Sequence, residues 1–156
     1  MRSRLVLGIA AAVVLMLSSC RGKSHVPGFQ ETDFRKLLAT LALGLNTGNA
    51  RVAADCFTED AMYSSPPDPQ IRKGRQALFE FFGGEKGRSQ PMSLLWHHVV
   101  FDQATQIGMG EYTFTYQVRT HGIVIIRIVG GKIANWREYE RESPQNWEQM
   151  IGENRF

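Results

Sequence analysis

The residue best placed to do chemistry is Glu138, in the run Trp136-Arg137-Glu138-Tyr139. A carboxyl set among aromatic rings is the raw material of a pocket, and one carboxyl can give or take a proton in general acid-base catalysis. Ser65 and His97 are the other candidates. With Glu138 they have the residue types of a hydrolytic triad, but no nucleophile-elbow motif surrounds Ser65. His97 and His98 are adjacent in a strand-like run, so they are expected on opposite faces and unable to share one metal ion. His97 is taken as the pocket histidine; His25 falls in a tether and His121 in a turn. No metal or cofactor site is expected.

The wall around such a site comes from strand periodicity. In residues 110–119, Tyr112, Phe114, Tyr116 and Val118 share one face, and Glu111, Thr113, Thr115 and Gln117 share the other. The aromatic face belongs against helices and, with Tyr63 and Trp136, forms an apolar pocket suited to a small apolar molecule. Residues 93–101, 110–119, 122–129 and 133–142 read as strands, and Gly130-Gly131 joins the last two as a hairpin.

Upstream the period changes. Phe34, Leu37, Leu38, Leu41 and Leu45 recur at helical spacing, with Thr32 or Asp33 as cap and Gly48 past the end. Asn49 caps a second short helix that buries Val52, Ala53, Cys56 and Phe57 and turns Asp55 and Glu59 outward. Residues 61–64 are a short strand, ended by Pro66, Pro67 and Pro69. Gly74 precedes a third helix, residues 75–82, that buries Ala77, Leu78, Phe81 and Phe82. Helices followed by a meander argue an α+β class.

At the N-terminus, Arg2 and Arg4 precede an apolar run of signal-peptide length. The tetrad Leu17-Ser18-Ser19-Cys20 resembles the bacterial lipoprotein processing box. That resemblance implies a signal peptide at residues 1–19 and a lipidated Cys20 with a polar tether at 20–31. The domain then spans 32–156, including a tail at 143–156. It also implies a lipid bilayer as partner through acylated Cys20, on the periplasmic side. Arg21 in place of an inner-membrane Asp implies the outer membrane of a Gram-negative host. Removing residues 1–19 takes two of the 18 basic residues and leaves 16 against 15 acidic ones, a net charge of +1. Nucleic acid is therefore not an expected partner, and Arg72, Lys73, Arg75, Lys86 and Arg88 are read as a solvated loop and helix start. With Cys20 acylated, Cys56 has no disulfide partner and is expected to be a small core residue.

Four segments carry a family resemblance: Leu45-Asn46-Thr47-Gly48-Asn49, residues 53–61, Lys73-Gly74-Arg75, and Gly131-Lys132-Ile133 followed by Trp136 to Tyr139. The chain resembles the nuclear-transport-factor-2-like superfamily over residues 32–142, its SnoaL-like branch above all. The resemblance implies a cone-shaped, cystatin-like α+β fold, with a bent antiparallel sheet wrapped around three N-terminal helices and an apolar pocket at the wide end. A homodimer is a common assembly. Against the pattern of ketosteroid isomerase, Ser65 stands where the base would be, and Leu41 and Val124 where its oxyanion donors would be. Against that of limonene epoxide hydrolase, Glu138 stands at the general acid or base, but Tyr112 and Phe114 replace its Arg and Asp. Neither site pattern is matched. The expected function is a membrane-anchored domain that binds a small apolar molecule. The alternatives are an isomerase, cyclase or hydrolase using Glu138, or a dimeric interaction module whose exposed sheet face carries Ile123, Ile125, Ile133 and Tyr139.

Overall fold

The first helix, α1 (Glu31–Asn46), begins just ahead of its expected cap because Asp33 reaches back to the backbone N–H of Gln30 at 3.1 Å, closing a capping box. The computed structural model describes residues 28–66, 68–90 and 92–155. The expected signal peptide and Cys20 lie outside them, and no helix among the described residues is long and apolar enough to cross a membrane. Phe34, Leu38, Leu41 and Leu45 line the buried face of α1, as their spacing predicts. A short second helix, α2 (Ala50–Ala54), is capped by Asn49, whose Oδ1 accepts from Val52 N at 3.1 Å. The two helices touch at Gly44, where an added Cβ would lie 2.6 Å from Ala53 N.

The expected helix through Phe57 stops early. Ile133 N donates to Cys56 O at 2.9 Å, and Phe57 opens a strand beside Ile133. This strand, β1 (Phe57–Ser64), is longer than the expected 61–64 segment and runs parallel to the last strand. The sheet is therefore mixed rather than wholly antiparallel. Its six strands, in the order β2-β1-β6-β5-β4-β3, are completed by β2 (Ile71–Lys73), β3 (Ser93–Asp102), β4 (Ile107–Tyr116), β5 (Val118–Val129) and β6 (Lys132–Glu142). Helix α3 (Arg75–Phe81) buries Leu78 and Phe79, with Phe82 just beyond it, and leaves the expected Ala77 exposed. A last short helix, α4 (Trp147–Ile151), lies in the tail.

Three irregularities move residues from where simple alternation would put them. The β4–β5 reversal falls at Gln117, in the left-handed region at φ 65°, so Thr120 and His121 lie inside β5 and are buried rather than in a turn. Val118 leaves the aromatic row and is exposed. Between Trp96 and Val99, β3 carries one more residue than the facing stretch of β4. This bulge turns both Trp96 and Val99 inward and both intervening histidines toward the outer face. The third irregularity, between Arg127 and Ile128, brings Ile133 into the core, away from the exposed face expected to carry it. At Gly130-Gly131, φ values of 57° and 77° give the tight hairpin expected there.

Candidate active site at the carboxyl of Glu138

The parallel pairing of β1 with β6 sets Tyr63 directly beside Trp136, and their rings stack at 5.7 Å with planes 7° apart. Glu138 follows two residues later on the same inward face and is 6% exposed. On the other side, Tyr112 of β4, Gly122 of β5 and Glu140 of β6 form one row across the sheet. Gly122 has no side chain, and a Cβ there would sit 2.7 Å from the Tyr112 ring. That gap lets the Tyr112 phenol reach over β5 to β6.

The result is a carboxyl held by three donors. Tyr63 Oη donates to Glu138 Oε1 in a short contact, while Tyr112 Oη at 3.0 Å and Trp136 Nε1 at 2.7 Å both approach Oε2. Burial raises the proton affinity of Glu138 above its ordinary value. The hydrogen bonds from Tyr63, Trp136 and Tyr112 pull it down, and the charge of Glu140 pushes it further up. Burial, followed by the neighbouring Glu138 charge, also holds both phenols protonated well above their ordinary range. Tyr112 Oη lies 3.5 Å from Glu140 Oε2, which accepts from Thr120 Oγ1 at 3.0 Å. A buried carboxyl is thus linked through one phenol to an exposed one.

These groups line a cavity of about 140 Å³. Its wall includes Leu41, Leu45, Phe57, Phe81, Phe82, Met92, Leu94, Phe114 and Tyr116, with Arg88 and Glu140 among the more exposed members. Tyr63, Tyr112, Phe114, Tyr116, Trp136 and Glu138, all expected in the pocket, come together here. Among the described residues, Glu138 has three hydrogen-bond donors and forms no ion pair. Ser65 lies past the end of β1, outside the cavity lining, where its carbonyl accepts from Asp68 N at 2.9 Å. His97 is on the opposite face of the sheet.

There His97 belongs to a different structure. His121 Nε2 is 2.9 Å from the carbonyl of Gln145, which can only accept, so that nitrogen carries the proton. His121 Nδ1 then accepts from Thr113 Oγ1 at 2.9 Å, and Thr113 accepts from His97 Nε2 at 2.7 Å. Trp147 of α4 stacks on His97 at 4.1 Å. Burial lowers the proton affinity of His97, against the opposing charge of Glu148. Both His97 and His98 line a groove under the tail, so the expectation of opposite faces fails because of the bulge in β3. No group of residues able to hold a metal ion is found among the described residues.

Sequence reasoning missed Gly122, Glu140 and Arg88. Glu140 had a signal, since it shares strand parity with Trp136 and Glu138. The role of Gly122 depends on a register that only the paired sheet reveals.

A family model for the SnoaL-like domain matches residues 34–136. The chain belongs to the SnoaL-like family. Solved structures agree with this SnoaL-like fold. An NTF-2 like protein from Burkholderia xenovorans is 16% identical with a TM-score of 0.65, covering 83% of this chain and 100% of its own. A protein with a cystatin-like fold from Methylobium petroleophilum is 18% identical with a TM-score of 0.65, covering 83% and 86%. An LEH-like epoxide hydrolase from M. tuberculosis is 14% identical with a TM-score of 0.59, covering 70% and 84%. Among curated proteins, no sequence matches this SnoaL-like chain.

The raised proton affinity of Glu138 has a definite sign in stability. A carboxyl bound to its proton more tightly when folded stabilises the fold fully below its ordinary value of 4.5, and that contribution is lost as pH rises through the elevated value. The melting-temperature advantage of wild type over Glu138→Gln should therefore shrink as pH rises above 4.5. An advantage that stays flat as pH rises would show that the fold does not raise the proton affinity of Glu138.

Proposed function

We propose that this domain binds a small, largely apolar molecule in the aromatic cavity, with Glu138 as its buried polar anchor. The observation that carries the reading is a partly open cavity of about 140 Å³ walled by aromatic and aliphatic side chains, with one buried carboxyl facing it. A carboxylate has about four lone-pair sites. Three are occupied by Tyr63, Tyr112 and Trp136, which leaves one on Oε1 for a hydroxyl of the guest. Benzyl alcohol should raise the unfolding temperature of the wild-type chain and do so more than toluene. Glu138→Gln should reduce that preference for the hydroxyl. Unchanged melting with a panel of single-ring probes would remove the binding reading.

A second reading, acid-base catalysis by Glu138, is favoured by the Tyr112 bridge to exposed Glu140, a path by which a proton taken from a guest can leave the buried site. The family includes isomerases, hydrolases and cyclases. The natural first substrate to try is an epoxide, from the name of the M. tuberculosis relative. Hydrolysis of styrene oxide should fall by about 10²–10⁴-fold in Glu138→Gln. Hydrolysis undiminished in that variant would exclude Glu138 as the acid or base.

We also infer that the chain is a lipoprotein held on the periplasmic side of a membrane by acylated Cys20, with the outer membrane as its site in a Gram-negative host. The apolar run and processing-box resemblance at residues 1–20 support this. The wild-type protein should sediment with membranes and carry the mass of a lipid adduct, and Cys20→Ser should do neither. A wild-type chain recovered unacylated would count against the anchor.

A further inference from the structure

Arg88 was read from sequence as part of a solvated loop, but it is half-buried and lines the cavity. Its guanidinium carbon lies 4.7 Å from the centre of the Tyr116 ring and 5.5 Å from that of Phe81. A planar cation between rings in this way is partly stripped of water yet keeps its in-plane N–H groups for an acceptor. Among the described residues it forms no ion pair, and its Nε is buried without a hydrogen-bond partner.

Two carboxyls share the cavity wall, and neither neutralises Arg88. Glu138 is enclosed by its own three donors, and Glu140 is turned to Thr120 and Tyr112. The Tyr116 hydroxyl, beside Arg88, is held below its ordinary proton affinity by hydrogen bonding from that guanidinium and from Ser89. An uncompensated, partly desolvated guanidinium matches a carboxylate in both charge and shape, since two parallel N–H groups fit two oxygens. The cavity also limits size. At about 140 Å³ it is close to the roughly 150 Å³ of an engineered apolar cavity that takes up benzene.

Resting on the binding reading above, we propose that Arg88 is the anion-binding group of this cavity and that its guest is a small single-ring carboxylate. The ring fills the aromatic space and the carboxylate pairs with Arg88. A polar substituent on the far side of the ring meets Glu138.

The test is isothermal titration of the full-length chain, purified in detergent, with phenylacetate and its neutral near-isostere phenylacetamide. Wild type should bind phenylacetate more tightly by about tenfold or more, as a charge-assisted pair requires. Arg88→Met should remove that preference by weakening phenylacetate far more than phenylacetamide, and Arg88→Lys should restore part of it. A melting transition and circular dichroism spectrum matching wild type show that the variants are folded. Equal binding of acid and amide by wild type, or a preference that survives Arg88→Met, overturns the role of Arg88 and leaves the cavity reading standing. Binding of neither probe overturns both.

Discussion

A carboxyl cannot be taken out of water without compensation, and the fold around Glu138 is arranged around that constraint. The effective penalty for burying a charge in a protein is several kcal/mol. Hydrogen bonds to a charged group return roughly 1.5–3 kcal/mol each, so three donors are of the size needed, and a raised proton affinity removes part of the remainder. The donors come from three strands. Tyr63 requires β1 to lie parallel against β6, Trp136 requires the inward parity of β6, and Tyr112 requires a glycine in the strand it crosses. The mixed sheet, the register and the row through Gly122 are conditions for one buried acid.

The same economy of side chains recurs elsewhere on the inner face. Added Cβ atoms at Gly108 and Gly110 would sit 2.2 Å from the Phe34 ring and 2.6 Å from the Trp96 ring. Glycines are unfavourable in strand interiors for want of a side chain to pack. Here the missing side chains admit large rings from α1 and β3, which pack into the hydrophobic core. Cys56 fits the same picture. It is buried, and burial pushes its thiol up to about 11, so it behaves as a small apolar core residue.

Period and punctuation made much of this legible in the sequence. The spacing of Phe34, Leu38, Leu41 and Leu45, the cap at Asn49 and the hairpin at Gly130-Gly131 are local signals, and they describe local structure correctly. The aromatic face of β4 and the inward placement of Glu138 also follow from alternation. What could not be read depends on pairing between distant segments. Nothing near Phe57 announces that β6 will capture its backbone, and nothing near His97 announces the extra residue that turns both histidines outward. Arg88 looked like a surface charge because sequence shows its charge but not the rings of Phe81 and Tyr116 around it.

The pairing of β1 with β6 has a further consequence for the entropy of folding. Strands β3 to β6 form a meander in which each strand pairs with the next along the chain. Tyr63 meets its partners only across separations of 73 residues to Trp136, as their numbers give, and 75 to Glu138. Closing so long a loop carries a greater entropic penalty than closing a hairpin. The β1–β6 pairing that places Tyr63 beside Glu138 is thus the sheet contact with the larger closure entropy, and the hairpins of the meander carry the smaller ones.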